Sequence, residues 1–263
     1  MKRARFSVGL LLLLSTSAAF AQSAASLRVS AEGAVGRPGS AVYPSDARLS
    51  TVALAAHVDL DAYLLGAAWL RPELERDQLR LHAGVVYELG AIRRAAMASG
   101  DDALADAGAA FQRWFAGLPV TGRRTGVTLD PSRLEVTPAE DWPVHDGDRL
   151  FYPRRPNDIR VVGAVAKPCR LPQVATRDAR RYLADCPRSP AADPDAIYVV
   201  QPDGVVFRQN VALWNRDAAR VLAPGAWIYV PFAEKAIAGA TDGRFNRDVA
   251  DFLATQLLDE GAR

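Results

Sequence analysis

The sequence predicts an α+β protein in which one structural unit occurs twice, and three observations support this prediction. A short motif recurs about 130 residues apart, helical periodicity interrupts only the first copy, and strand-like segments bounded by Gly and Pro fill the rest of both copies. The chain has 263 residues, 49% hydrophobic and 24% charged. This length allows one large or two small domains, and the composition excludes disordered, collagen-like and coiled-coil chains.

The recurring motif is Gly-Ala-Val followed by Pro, at residues 33–38 and again at residues 163–168. The offset between these copies is 130 residues. Each copy reads as a strand that turns at the Pro, a second strand and a short helix that begins near Ser45 or Thr176. Two weaker matches follow, residues 46–48 with 178–180 and residues 61–63 with 195–198.

The two copies also end alike, but at a different offset. Residues 146–153 read DGDRLFYP and residues 224–231 read PGAWIYVP, which is an offset of 78. Because the offset falls by 52 residues, the first copy contains an insertion of about that length.

The insertion is predicted to be a helical hairpin over about residues 72–118. Apolar residues recur at three-and-four spacing over residues 74–92 and again over 104–118. Between these series, Gly100 can end one helix and Asp101 can cap the next.

The C-terminal segment, residues 233–263, is predicted to contain an amphipathic helix that Asp242 could cap. Charged residues occupy the face opposite its apolar side chains. We expect the apolar face to dock on its own domain; contact with a partner or a membrane surface is the alternative. The apolar positions are Phe245, Val249, Phe252, Leu253, Leu257 and Leu258.

Residues 1–21 have the pattern of a secretory signal peptide. A basic start precedes a short apolar run, and small residues lead to a predicted cleavage between Ala21 and Gln22. Without this segment the chain has 29 basic and 30 acidic residues, so no strong positive field attracts nucleic acid. We therefore expect an exported, soluble mature protein.

The two cysteines, Cys169 and Cys186, are predicted to form a disulfide. They are the whole cysteine inventory, and an exported protein meets an oxidising compartment. Two buried free thiols or a metal site are the alternatives, although two cysteines lack the further ligands that zinc needs.

The search for catalytic chemistry finds none, so we expect no enzymatic activity, no cofactor and no metal. His57, His82 and His145 are scattered, and no nucleophile elbow or phosphate-binding loop occurs. The carboxylate pairs at residues 146–148 and 193–195 flank turn residues, and turn hydrogen bonds explain them better than acid–base catalysis.

Tryptophan faces are the candidates for binding sugar rings, because a sugar pairs an apolar C–H face with polar edges. Trp114 and Trp227 follow core periodicity. Trp142 and Trp214 lie in less regular segments and are the predicted ligand-binding residues.

Together, the doubled Gly-Ala-Val units, both strand ends and the segments DPDAIYVVQPDG and VALWN resemble the periplasmic GfcC-like capsule biosynthesis proteins. The resemblance covers about residues 27–258. It implies two tandem β-grasp domains, similar to the soluble-ligand-binding repeats of outer-membrane polysaccharide exporters. The implied division is domain 1 at residues 22–158 with the hairpin, domain 2 at 159–232, and the C-terminal helix.

The resemblance also implies a function. We expect a non-catalytic, monomeric periplasmic protein of capsular or exopolysaccharide assembly or export that binds polysaccharide or export machinery. A cleft arginine near the hairpin is suspected of ligand contact in that family, and Arg123, with Arg124 beside it, matches best. A subunit-like relative of a polysaccharide exporter and a carbohydrate-active hydrolase are the alternatives.

Overall fold

The computed structural model describes residues 26–258, so the predicted signal peptide lies outside the described residues. This part of the chain is a mixed α+β structure with two five-stranded sheets and seven α-helices. The first sheet contains β1 (Ser26–Gly33), β2 (Gly39–Pro44), β3 (Ala68–Leu70), β4 (Arg123–Arg124) and β5 (Arg149–Tyr152). The second contains β6 (Asp158–Gly163), β7 (Cys169–Pro172), β8 (Ala196–Val200), β9 (Val206–Asn210) and β10 (Trp227–Val230). The helices are α1 (Leu49–Ala56), α2 (Pro72–Ser99), α3 (Asp102–Phe115), α4 (Pro131–Val136), α5 (Ala179–Asp185), α6 (Glu234–Ile237) and α7 (Phe245–Leu253).

The two sheets have the same topology. Their strand orders are β2-β1-β5-β3-β4 and β7-β6-β10-β8-β9. In each sheet the first and last strands along the chain pair in parallel, and all other pairs are antiparallel. The internal repeat in the sequence therefore corresponds to a repeat in structure.

The motif glycines occupy equivalent places. Gly33 lies opposite Tyr152 on the neighbouring parallel strand, and Gly163 lies opposite Val230 in the same way. Both glycines have positive φ, 87° and 102°, and a Cβ on either would overlap the carbonyl oxygen of the residue opposite. Only glycine fits this close backbone approach, which explains why the motif contains it twice.

The offset of 130 residues holds further along the chain than the sequence matches suggested. Arg48 bridges Pro143 just as Asp178 bridges Val221, and Ala62 and Ala192 also make equivalent bridges. The matches of 46–48 with 178–180 and of 61–63 with 195–198 are therefore wrong by two and four residues. Both matches paired identical or similar residue types that occupy non-equivalent structural positions.

The insertion has two parts. Strand pairing aligns Leu70 with Val200 at an offset of 130, and Arg123 with Val206 at an offset of 83. The difference of 47 residues is the helical hairpin. The remaining five residues lie between β4 and β5, in the connection that contains α4.

The predicted hairpin is present as α2 and α3. Gly100 ends α2 in the left-handed conformation with φ 74°, and the Asp101 carboxylate accepts a hydrogen bond from the Leu104 amide at 3.0 Å. The apolar face of the hairpin packs on the second sheet rather than the first. Phe111 lies 5.8 Å from the ring of Tyr229, and Trp114 lies 5.9 Å from Trp227.

The predicted C-terminal helix is α7, and its apolar face docks on the chain itself. Phe245, Val249 and Phe252 are fully buried in the cluster that contains the hairpin and the second sheet. The helix ends at Leu253, so the expectation that Leu257 and Leu258 continue it was wrong.

Side chains of the first unit bind the backbone that follows α7. Thr121 donates to the carbonyl of Thr255 at 2.7 Å, and Arg123 donates to that of Gln256 at 2.9 Å. Residues 254–258, which we call the tail, therefore cross from the second unit to the first. Leu258 ends the tail between Gly66 and Gly225, where neither glycine leaves room for a Cβ.

The predicted disulfide between Cys169 and Cys186 is present, and it ties the start of β7 to the end of α5. At the offset of 130, the equivalent residues of the first unit are Gly39 and Ala56. The same connection therefore occurs once with a covalent link and once without.

Candidate functional site

Arg123 lies at the junction of the two units, on the edge strand β4. Only 4% of its surface is exposed. Its guanidinium donates to the carbonyls of Gln256 at 2.9 Å and Ala254 at 3.4 Å, and also to the carbonyl of Pro202. Arg123 thus joins the first unit, the tail and the β8–β9 turn of the second unit.

The charge of Arg123 is held mainly by backbone dipoles. Burial lowers its pKa to about 10, and the nearby Asp203 carboxylate opposes that shift. A pKa of about 10 still leaves the guanidinium protonated at neutral pH. Carbonyls near the C-terminal end of α7 suit a cation, because the helix dipole is negative there.

Arg124 lies beside two tryptophans. Its guanidinium carbon lies 4.7 Å from the ring centre of Trp142 and 5.6 Å from that of Trp69. Trp69 is buried, whereas 43% of Trp142 is exposed. The Arg124 guanidinium therefore packs against the ring of the exposed Trp142, and cation–π attraction favours this arrangement.

A buried polar network holds Trp69 in place. The carboxylate of Asp148 accepts from the indole Nε1 of Trp69 at 2.9 Å and from the backbone amide of His145 at 2.8 Å. Arg71 donates to His145 Nδ1 at 2.9 Å, because arginine has no acceptor. Burial raises the pKa of Asp148, and these hydrogen bonds and the charge of Arg71 act against the shift.

Trp142 lines a cleft of about 420 Å³, which we call the tryptophan cleft. Its size is within the range of ligand sites, roughly 300–1,000 Å³. Both units contribute, since Asp203 and Val205 come from the β8–β9 turn. The complete lining is Leu64, Leu65, Gly126, Val127, Thr128, Asp130, Arg133, Glu140, Trp142, Asp203 and Val205.

A second cleft, of about 360 Å³, lies on the other side of the β8–β9 turn. We call it the arginine cleft, because Arg123, Arg124 and Arg247 line it. Asp203 lines the tryptophan cleft and Gly204 lines the arginine cleft. The structure thus brings Arg123, Arg124 and Trp142 into one region.

Trp214 is not part of this region and lines neither cleft. It is 77% exposed in the loop after β9, next to the exposed Leu213. Its indole donates to the carboxylate of Asp195 at 3.2 Å.

Sequence reasoning missed the carboxylates of the tryptophan cleft. Asp203 lies in the Pro-Asp-Gly segment of residues 202–204, and its carboxylate accepts the Val205 amide at 3.0 Å. Asp130 caps α4 through Ser132, a role that the Asp-Pro pair at residues 130–131 could have indicated. Nothing in the sequence indicates that these residues meet Trp142.

The two carboxylate pairs singled out in the sequence are engaged by the backbone or by an indole. Asp146 accepts the Arg28 amide at 2.7 Å, and Asp193 accepts the Asp195 amide at 2.8 Å. Within residues 26–258, no cluster of His, Cys, Asp and Glu side chains could hold a metal ion. None of the helices in that range combines the length and hydropathy of a membrane span.

Comparison with known proteins relates this chain to a protein family and to a bacterial protein. Residues 167–258 match the family model described as capsule biosynthesis GfcC C-terminal. The chain is also similar to a protein of Escherichia coli (strain K12) described as uncharacterized protein YjbG. The two are 27% identical over 195 residues, which are 73% of this chain and 78% of that protein. Over residues 167–258 this chain is therefore similar to the capsule biosynthesis GfcC C-terminal family.

Proposed function

We propose that this chain is a non-catalytic periplasmic protein of capsular or exopolysaccharide assembly or export, and that it binds polysaccharide directly. The observation that carries the proposal is the match of residues 167–258 to a capsule biosynthesis family. The signal-like pattern of residues 1–21 supports the periplasmic location.

We further infer that each unit is a β-grasp domain, the first at residues 22–158 and the second at 159–232, followed by the C-terminal segment. Each unit has a mixed sheet with strand order 2-1-5-3-4, counted within the unit, and a helix that follows its second strand. This arrangement supports the likeness to soluble-ligand-binding repeats of polysaccharide exporters.

The region around Arg124 and Trp142 is the proposed saccharide site. An exposed indole beside hydrogen-bonding groups suits a sugar ring, which has an apolar face and polar edges. Arg123 acts there by holding the cleft walls together, and its exposed fraction faces the arginine cleft. Trp214, in the second unit, is a separate proposed contact for polysaccharide or for a protein of the export machinery.

The non-catalytic part of the proposal is supported by the roles of the acidic residues. Asp146, Asp148 and Asp193 each accept backbone hydrogen bonds. A glycosidase needs two carboxylates placed across a cleft, one as a proton donor. In the tryptophan cleft, Glu140 is bound to Arg133 in a two-point ion pair, and the Asp130 and Asp203 carboxylates accept backbone amides.

The test is deletion of the coding sequence followed by measurement of surface and secreted polysaccharide. We expect the amount or chain length of polysaccharide to fall, and a plasmid copy to restore it. Complementation with Trp142→Ala should fail where Tyr87→Ala succeeds, because Tyr87 is exposed on the hairpin away from both clefts. Unchanged polysaccharide in the deletion strain would contradict the proposal.

Fractionation and light scattering test the remaining parts. We expect the mature protein in the periplasmic fraction and as a monomer in solution. A ring-shaped oligomer would favour the exporter-subunit alternative, and release of reducing ends by pure protein would favour the hydrolase.

A further inference from the structure

The tryptophan cleft combines one aromatic face with two exposed apolar side chains. Trp142, Leu65 and Val205 line it and are 43%, 43% and 48% exposed. Because Arg124 lines the arginine cleft and not this one, it contacts Trp142 from outside the tryptophan cleft. Contact with Arg124 thus restricts the orientation of the indole before any ligand arrives, which lowers the entropy cost of binding.

The charged groups of this cleft leave a negative excess. Glu140 and Arg133 neutralise each other in their ion pair. Asp130 and Asp203 then leave the lining with two excess carboxylates, although Asp130 also lies within electrostatic reach of Arg133, and Asp203 within reach of Arg123. An acidic sugar would meet like charge here, and like charges close together cost free energy.

The two carboxylates also keep acceptor capacity. In each, Oδ1 accepts backbone amides, from Ser132 and Arg133 to Asp130 and from Val205 to Asp203. Among residues 26–258, no group donates a hydrogen bond to Oδ2 of either carboxylate. A carboxylate has about four lone-pair sites, so each can accept further hydrogen bonds from hydroxyl or ammonium groups.

The neighbouring arginine cleft has the opposite character. It contains three arginines, and only Arg247 has a carboxylate partner there, Asp251 at 2.9 Å. The wall between the clefts is the β8–β9 turn, so a negative and a positive cleft lie side by side. Selectivity for charge is therefore a property of each cleft rather than of the surface as a whole.

We propose that the tryptophan cleft binds a stretch of saccharide that carries no acidic group, and that it prefers sugars with free amino groups. This rests on the proposed function and specifies its ligand class. The sugar ring stacks on Trp142, and an ammonium group hydrogen-bonds to Asp203 or Asp130.

The experiment compares three trisaccharides on the full mature protein by calorimetry: β-1,4-linked glucosamine, β-1,4-linked N-acetylglucosamine and α-1,4-linked galacturonic acid. We expect the glucosamine trimer to bind about tenfold more tightly than the acetylated trimer, because it adds a charged hydrogen bond. The galacturonic acid trimer should bind most weakly. Raising the salt concentration should weaken only the glucosamine trimer.

Variants separate stacking from charge. Trp142→Ala should weaken both amino-sugar trimers at least about tenfold, and Trp142→Phe should restore most of the affinity. Asp203→Asn and Asp130→Asn should remove the preference for the free amine and leave the acetylated trimer within about twofold. Asn keeps the cap of α4, because it is as good an N-cap as Asp. Tyr87→Ala is the matched control and should change nothing.

Three results would overturn the inference: tight binding of the galacturonic acid trimer, an amine preference that survives both Asn substitutions, or no binding of any trimer. If Trp142→Ala does not fold, the two Asn variants still test the preference for the free amine. None of these results bears on the polysaccharide phenotype of the deletion strain, so the inference and the proposed function can fail separately.

Discussion

The two sheets have the same strand topology, but one face is covered differently in each sheet. In the second sheet this face carries Trp227 and Tyr198, both buried beneath the hairpin and α7. In the first sheet the equivalent positions hold Arg149 and Ala68. Arg149 is exposed and lies 3.7 Å from the carboxylate of Glu32.

The difference shows which part of the chain completes which core. The hairpin is inserted into the sequence of the first unit, yet its buried residues belong to the cluster of the second sheet. On this face of the first sheet, Leu257 of the tail packs on Leu70 and Phe151. Insertion in sequence and packing in space therefore involve different units.

Among the substitutions considered, Phe111→Ala in the hairpin should reduce stability the most. Phe111 is 3% exposed and contacts Tyr229 and Phe232, so its removal leaves a cavity against the second sheet. We expect the free energy of unfolding to fall by about 3–5 kcal/mol in urea titrations.

Tyr87→Ala, on the exposed side of the same hairpin, should change it by less than about 0.5 kcal/mol. Hydrogen exchange adds the location: amides of β8 and β10 should lose protection before those of β1 and β5. Equal loss in both sheets would contradict the assignment of the hairpin to the second core.

The next comparison concerns the disulfide, which only the second unit has. Replacing both Cys169 and Cys186 with Ala should lower the free energy of unfolding by about 3 kcal/mol, because the 17-residue link no longer restricts the unfolded chain. Thermal unfolding with and without a reducing agent measures it. A variant that lacks the cysteines should be insensitive to the reductant, and an unchanged midpoint in the wild type would refute a structural role.

The motif glycines should respond equally in the two units. Gly33→Ala and Gly163→Ala each force a Cβ toward a backbone carbonyl at positive φ, and each should cost about 1–3 kcal/mol. Gly84→Ala is the control, because Gly84 lies in α2 with nothing near an added Cβ, and it should stabilise the protein slightly. Chemical denaturation compares the three, and a tolerated alanine in one unit only would show that the two turns are not equivalent.

The smallest effect concerns Trp69 and Asp148, whose counterparts in the second unit are the apolar Val199 and Ala226. Burial raises the pKa of Asp148 above its ordinary 3.8, so its contribution to stability is present below that value and is lost as pH rises through the folded-state pKa. Asp148→Asn does not titrate. The stability of Asp148→Asn relative to the wild type should therefore rise with pH, by less than about 1 kcal/mol.

Thermal unfolding of both proteins between about pH 3.5 and pH 7 measures this difference. Asn keeps an acceptor for the indole of Trp69, so the hydrogen bond itself is not removed. A relative stability that falls with pH would mean that Arg71 outweighs burial at this carboxylate.

The sequence predicted the features that local rules determine. The three-and-four spacing and the Gly100–Asp101 pair predicted α2 and α3, and the repeated Gly-Ala-Val motif predicted that one structural unit occurs twice. The first prediction follows from the residues of one segment, and the second from the likeness of two segments. The sequence did not show that the hairpin covers the other unit, because an apolar face does not name its partner.

The candidate site was predicted less completely. Trp142 could be selected by residue type and Arg124 by the family resemblance, but their proximity to Asp203 depends on the β8–β9 turn of the other unit reaching β4. The same turn accounts for the bond from Arg123 to Pro202. Contacts between segments 60 or more residues apart leave no periodicity in a single sequence, so the cleft could be found only in three dimensions.

The pairing of β6 has a practical consequence for anyone who would transplant the matched segment between proteins. Residues 167–258 begin after β6, the strand that joins β7 to β10. A fragment that begins at residue 167 would lack β6, so β7 and β10 would have no strand between them. It would also lack the hairpin, so the aromatic side chains that the hairpin covers would be exposed. The family match covers a stretch of sequence and not a complete packing unit, so a recombinant fragment would need to begin at residue 72 or earlier to keep the hairpin over the second sheet.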